Sequence, residues 1–396
     1  MNLTDRRERP QRTFGSPTGV VVSSLSDAAR AAIRFTDGQR IFFSSPDLSL
    51  LGIEPVAEYS VRPGDDISEL LRDGDGIGFV AFPFRRSEAV RIAVPERTLR
   101  LDRNCDHRAL LASLGPPPET DEAPRSYALR PIEEPDEWCG SVADVAGAVR
   151  RGELHKAVLA RRVEVTSDVV IQPPQVLGRL AQSFPGSYLF SAFGLVGASP
   201  ELLLSKRGRY VESKALAGTA RRGGDETADR ELARWLTQSP KNQQEHRILR
   251  DMVLETLAPY AVSVQVSKEP EILKLTNVQH LMTRLTVELK PDHPPFLELA
   301  NSLHPTPAVC GWPREAAYAV IDQVEDWDRG LYGGALGWVD AQDNGCLCVT
   351  IRCAELKGMN ATVFAGSGIV ADSDPDEELA ETRAKLGALL PALIAP

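Results

Sequence analysis

The sequence predicts an α+β layered fold. Strand-like and helical runs alternate irregularly, without the sustained strand–helix–strand rhythm that builds a doubly wound sheet. The 396 residues suit either two or three domains or one large mixed domain. No internal repeat or low-complexity tract divides them.

The first third carries short strand-like runs at residues 19–22, 40–43 and 77–81, and none brings recognisable chemistry. Residues 115–135, GPPPETDEAPRSYALRPIEEP, are rich in proline and acid and mark a long connection. Trp138, Val142, Val145 and Val149 then recur at helical spacing, and residues 157–165 (AVLARRVEV) read as a strand. A short helix is expected around residues 174–181. Strands follow at 188–193 and 201–206, joined by a turn GLVGASP, and another at 210–216 leads into Ala-Gly-Thr. Helices dominate residues 226–257, broken at Ser239-Pro240. The last segment, residues 350–385, reads as a strand (TIRCAEL), a glycine turn (AGSG) and an acidic helix capped by Asp374-Pro375.

Composition narrows the function class. An apolar fraction of 42% and a charged fraction of 25% are those of an ordinary globular protein. The net charge of −10 argues against non-specific nucleic-acid or acidic-membrane binding. No apolar run approaches the length that spans a bilayer. The N-terminus is basic and polar without an apolar core, so residues 1–15 are expected to be a disordered tail and not a secretory signal. Six scattered cysteines, Cys105, Cys139, Cys310, Cys346, Cys348 and Cys353, fit reduced thiols in the cytoplasm better than a zinc site.

Several residues invite chemistry, each with a plainer reading beside it. Arg352 alternates out of phase with Leu347, Val349 and Ile351, and so points away from the face they bury. Gly366 and Gly368 leave backbone N–H groups open to an anion. Glu378 and Glu381 share a helix face, either as a solvated pair or as ligands of a cation. Glu245 lies one turn before Leu249 on an apolar stripe; it either protrudes into solvent or needs a cation. Lys156 opens an apolar strand, as a snorkelling edge residue or as a base whose pKa burial has lowered. Glu201 sits at a strand end, as a solvated carboxylate or as an acid. His280 in VQHLMT reads by default as a satisfied, partly buried histidine.

Taken together, ten segments in one order resemble the chorismate-utilising enzymes across residues 138–390: LHKAVLARR, GASPELLL, ALAGTARR, PKNQQEH, VQHLMT, LHPTPAVCGWP, RGLYGGALGW, TIRCAEL, AGSGIV and ELAETRAKL. The resemblance implies one large domain over residues 16–396, with two antiparallel sheets packed face to face, flanking helices, and a catalytic region at 136–391. It also implies a branch. Members that add water at C2 of chorismate carry a lysine where Lys156 stands, and members that add ammonia lack it and need a glutaminase subunit. Ala217 stands where aminodeoxychorismate synthases carry a nucleophilic lysine. Ala308 stands where salicylate synthases usually carry threonine.

The resemblance therefore implies isochorismate synthase activity, with Lys156 as the base that activates water and Glu201 as the acid that protonates the departing C4 hydroxyl. Glu245, Glu378 and Glu381 would hold Mg²⁺, a hard cation suited to carboxylate oxygens. Arg352, Tyr332, Gly366 and Gly368 would grip the enolpyruvyl carboxylate. Gly218, Thr219, His280, Ala308 and Lys385 complete the substrate site. The chain is expected to act as a monomer without a glutaminase partner. The product would feed a catechol or salicylate siderophore, or menaquinone. Salicylate synthase or an ammonia-using enzyme is the alternative within the family, and a chorismate-binding protein without turnover is the alternative outside enzymology. Asn242 departs from the acid common at its position, and Ser367 from the commoner alanine.

Overall fold

The computed structural model describes residues 20–21, 41–72, 75–102, 126–276 and 278–394. The expected tail at 1–15, Cys105 and most of the proline-rich connection lie outside them. Among the described residues, nineteen strands join in one hydrogen-bonded network, antiparallel except where β1 (Val20–Val21) runs parallel to β5 (Val90–Asp102).

The network has two halves. In the first, β4 (Ile77–Phe82) follows β5, then β16 (Ala335–Asp340), β17 (Gly345–Val349), β10 (Leu202–Arg207), β11 (Tyr210–Arg221) and β14 (Val278–Leu289). The far edge of β14 carries β12 (Ala261–Val266) and β13 (Glu271–Lys274). The second half runs from β3 (Leu48–Val61) through β2 (Ile41–Ser44), β8 (Tyr188–Ala192), β9 (Leu195–Ser199), β18 (Cys353–Lys357) and β19 (Asn360–Ile369) to β7 (Lys156–Ser167). Beyond β7 lie β6 (Tyr127–Pro131) and β15 (Gly311–Trp312).

The long antiparallel β3–β5 ladder joins the halves. Its register shifts between Ile53 and Val56, and such an irregularity lets a strand bend. The halves thus face each other across one apolar layer, with Phe43, Leu50 and Phe190 from one side against Phe79, Leu336 and Cys348 from the other.

The described residues include eight helices: α1 (Ser68–Arg72), α2 (Pro135–Arg150), α3 (Pro173–Ser183), α4 (Glu226–Gln238), α5 (Pro240–Leu257), α6 (Phe296–Leu303), α7 (Arg314–Val324) and α8 (Pro375–Ile394). Leu249, Met252 and Phe296 pack α5 and α6 on the outer face of the first half. Leu177, Leu180, Leu389 and Leu393 pack α3 and α8 on the second. This is the expected α+β layering.

The predicted break between α4 and α5 falls at Ser239-Pro240, where the Ser239 side chain accepts from Asn242 N and Pro240 opens the next helix. Asp374 caps α8 by accepting from the N–H groups of Asp376 and Glu377. Each such cap stabilises its helix by about 1 kcal/mol.

Three expectations need correction. The turn GLVGASP contains β9; only Gly194 turns (φ 82°), and Gly197 is small because a Cβ there would lie 2.7 Å from Cys353 Cβ. TIRCAEL is not one strand, because the chain breaks between β17 and β18 and Arg352 takes a left-handed φ of 52°. AGSG is not a turn. It lies inside β19, with Gly366 opposite Ala160 and Gly368 opposite Val158.

Candidate active site

One cavity, open to solvent on one side, brings together the predicted residues other than Glu378. β7 supplies Lys156, β11 Gly218 and Thr219, β14 His280, β19 Gly366 and Gly368, α5 Glu245, and α8 Glu381 and Lys385. Glu201, Ala308, Tyr332 and Arg352 enter from connections. The sequence folds this way locally because the β19 glycines admit their neighbours. A Cβ on Gly368 would lie 2.8 Å from Lys156 Nζ, and one on Gly366 would lie 3.1 Å from the Tyr332 hydroxyl. Glycine serves here to make room for side chains, not to form a turn.

Lys156 and Glu201 are both almost wholly buried. Burial drives the Glu201 carboxyl up to about 8, against the opposing pull of the Lys156 charge, so Glu201 keeps its proton at neutral pH, as an acid must. Its backbone is fixed on both sides: Glu201 N donates to Ser199 Oγ (3.2 Å) and Glu201 O accepts from Val349 N (3.0 Å). Lys156 Nζ donates to Glu245 Oε2 at 3.3 Å. The charged group Lys156 touches is therefore a carboxylate.

Arg352 is buried, and its Nη1 has no hydrogen-bond partner. Burial lowers its pKa, yet a guanidinium remains charged. An unpartnered buried donor on a cavity wall is poised for an anion. His280 is held down to about 3 by burial, and further by Arg352 and Lys385, so it is neutral at working pH. Its Nδ1 lies 3.1 Å from Thr219 Oγ1 and 3.3 Å from Gly218 O. Gly218 takes φ 80° at a bulge that breaks the β11–β14 register, turning the Ala-Gly-Thr backbone into the cavity.

The three carboxylates are placed differently from one another. Glu245 and Glu381 line the cavity; Glu378 does not. Glu378 is buried behind β19 and bonded to Ser367 Oγ (2.5 Å), Ser373 Oγ (2.7 Å) and Lys241 Nζ (3.2 Å). For Glu381, burial pushes the carboxyl up, but the Lys385 charge and hydrogen bond together with Ser367 outweigh it and hold the group at about 2. Among the described residues, no three His, Cys, Asp or Glu side chains form a group able to hold a metal ion. The expected trio is thus not a closed cage of protein ligands.

Sequence reasoning missed several groups. Asn242 does not approach these carboxylates by any hydrogen bond; its Oδ1 accepts from Thr219 N at 3.0 Å and its Nδ2 donates to Ser239 Oγ, so it fixes the Gly218 bulge. Ser367 contacts two of the acids at once, which is more than a small change in a backbone-binding turn. Phe364 stacks on Tyr332 at 4.9 Å and on Trp327 at 6.0 Å. Phe364 shares the cavity face with Gly366 and Gly368 at period two, a signal available once β19 is read as a strand.

A two-sheet α+β scaffold around a buried acid, lysine and free guanidinium defines an enzyme class that handles anionic substrates. The family described as chorismate binding enzyme matches residues 96–394, and this chain belongs to it. It is 35% identical over 325 residues to isochorismate synthase DhbC of Bacillus subtilis, covering 79% of each chain. Identity with the vibriobactin-specific isochorismate synthase of Vibrio cholerae is 31% over 369 residues, 89% of this chain and 90% of that one. The crystal structure of DhbC from Bacillus anthracis aligns with a TM-score of 0.81 at 32% identity, covering 92% of this chain and 98% of that one.

Proposed function

We propose that the chain is an isochorismate synthase: it isomerises chorismate to isochorismate reversibly with Mg²⁺, adding water at C2 and releasing the C4 hydroxyl, for siderophore or menaquinone synthesis. The observation that carries this reading is a buried lysine and a buried glutamate on one cavity with the unpartnered Nη1 of Arg352. The similarity to isochorismate synthases supports the same activity. Catalysis is assigned to residues 136–391, acting as a monomer in the cytoplasm without a glutaminase partner. The described cysteines are all free thiols, as suits a reducing compartment.

Lys156 takes a proton from the attacking water, and Glu201 gives one to the departing C4 oxygen. Before Lys156 can accept a proton it must be neutral and released from Glu245. Arg352 pairs with the enolpyruvyl carboxylate, with the Tyr332 hydroxyl beside Gly366. Neutral His280, Thr219, Gly218 and Ala308 line the ring. Lys385 holds Glu381 Oε1 at 2.6 Å and the Gly366 carbonyl at 2.8 Å, so it ties α8 to the carboxylate-binding strand.

The residues fit a hard divalent cation by donor chemistry. Glu245 and Glu381 face the cavity, and Glu378 stands behind Glu381 across Ser367. When bound there, Mg²⁺ would neutralise the ring carboxylate and the charge that develops across the diene. The remaining ligand positions fall to substrate and water.

The test is incubation of the purified chain with chorismate and Mg²⁺, with products followed by NMR. Conversion to isochorismate that halts at an equilibrium mixture with chorismate, without ammonia or glutamine, is expected. Pyruvate as the main product, or strict ammonia dependence, would overturn the assignment.

A further inference from the structure

Ser367 lies on β19 between the two cavity glycines, 1% exposed, with its side chain on the opposite face, toward α8. Its Oγ is 2.5 Å from Glu378 Oε2 and 3.1 Å from Glu381 Oε1. A serine hydroxyl has one proton and here meets two carboxylates, so it is the shared donor that lets them converge. The surrounding cations divide between them: Lys241 bonds Glu378 and Lys385 bonds Glu381. Ser373 binds only Glu378. Ser367 is the residue common to both acids.

We propose that Ser367 is a positioning residue that acts as a placeholder for the metal, holding Glu378 and Glu381 together when no cation is bound. This rests on the reading of the carboxylates as a Mg²⁺ site. A cation drawing on the Glu381 carboxylate competes with the hydroxyl, which bonds its Oε1, for the charge of that one group. The Ser367 bond therefore stabilises the metal-free protein more than the loaded one. By linkage, a group that favours the free state weakens binding.

The experiment compares wild type with Ser367→Ala and Ser373→Ala, using thermal melts in EDTA and in saturating Mg²⁺, and Mg²⁺ titration by calorimetry without substrate. Ser367→Ala should melt about 1–2 °C lower in EDTA and recover most of that loss in Mg²⁺. It should bind Mg²⁺ about three- to tenfold more tightly than wild type. Ser373→Ala should melt lower by a similar margin in both conditions, with unchanged Mg²⁺ affinity. An equal loss for Ser367→Ala with and without Mg²⁺, no loss in EDTA, or weaker Mg²⁺ binding would overturn the placeholder. A wild-type chain that shows no Mg²⁺ heat and no Mg²⁺ shift would overturn the metal site itself, a failure readable before any variant is made.

Discussion

Lys156 Nζ stands 3.3 Å from Glu245 Oε2 across the cavity floor, with side-chain exposures of only 5% and 12%. The proposed base is thus tethered to a proposed metal ligand, and β7 and α5 meet at that contact. Removing either partner leaves the other short of a counter-charge in a poorly hydrated place.

Lys156→Ala should therefore lose about 10²–10⁴ in turnover, because alanine can neither accept a proton nor orient water. Turnover by NMR, with circular dichroism confirming the fold, checks this. Substantial activity in the variant would mean that another group activates the water.

Glu201 gives a prediction with a definite sign. Burial raises its pKa from 4.5 to about 8, the Lys156 charge opposing. An acid that binds its proton more tightly when folded contributes stability that is full below about pH 4.5 and lost as pH rises through 8. Glu201→Gln removes that dependence. Urea denaturation should show the variant gaining on wild type by roughly 2–4 kcal/mol between pH 5 and pH 9. The forward rate of the wild type should also fall above pH 8 as the acid ionises. A gap that stays constant with pH would place the Glu201 carboxylate in contact with water or a cation.

Glu245→Gln and Glu381→Gln should each weaken Mg²⁺ dependence of the rate by at least about tenfold while the chain stays folded. Turnover measured across a magnesium series decides it. Two variants with wild-type curves would leave these carboxylates as partners of Lys156 and Lys385 alone.

Arg352 allows side chain and backbone to be separated. Its φ of 52° is costly for any residue but glycine. Arg352→Lys should raise the chorismate Kd by about 10- to 100-fold, since an ammonium lacks the paired donors of the fork. Arg352→Gly should bind as poorly or worse and yet melt no lower than Arg352→Lys, because glycine relieves the backbone. Calorimetry and thermal melts read the two effects apart.

The sequence was most informative where local rules decide. Ser239-Pro240 and Asp374-Pro375 announced helix starts because capping uses neighbouring atoms only. Lys156, Glu201, Glu245 and Arg352 stand out by position in the pattern, only the resemblance supplies their roles, and the cavity collects them. The errors came where distant segments decide. Gly366, Gly368 and Gly197 suggested turns, but they are strand residues whose missing Cβ admits Lys156, Tyr332 and Cys353. Local pattern carries no trace of what packs against a glycine. Glu378 and Glu381 read as equivalent at three-residue spacing, and only the position of β19 puts one into the cavity and the other behind it. Asn242 is three residues from its cap partner but twenty-three from the Thr219 amide it holds, a distance no periodicity spans.

The Tyr332–Phe364–Trp327 stack gives the site an optical consequence. Phe364 and Tyr332 form part of the cavity wall, and the Trp327 ring lies nearly parallel behind Phe364, at 26°. Its indole N–H is buried without a partner and Arg162 lies over the half-buried ring, so its emission depends on the packing and fields around it. A ligand settling against Phe364 would change the surroundings of that ring from behind a single aromatic layer. Tryptophan fluorescence, compared between wild type and Trp327→Phe, would then report occupancy directly, before any bond in the substrate has changed.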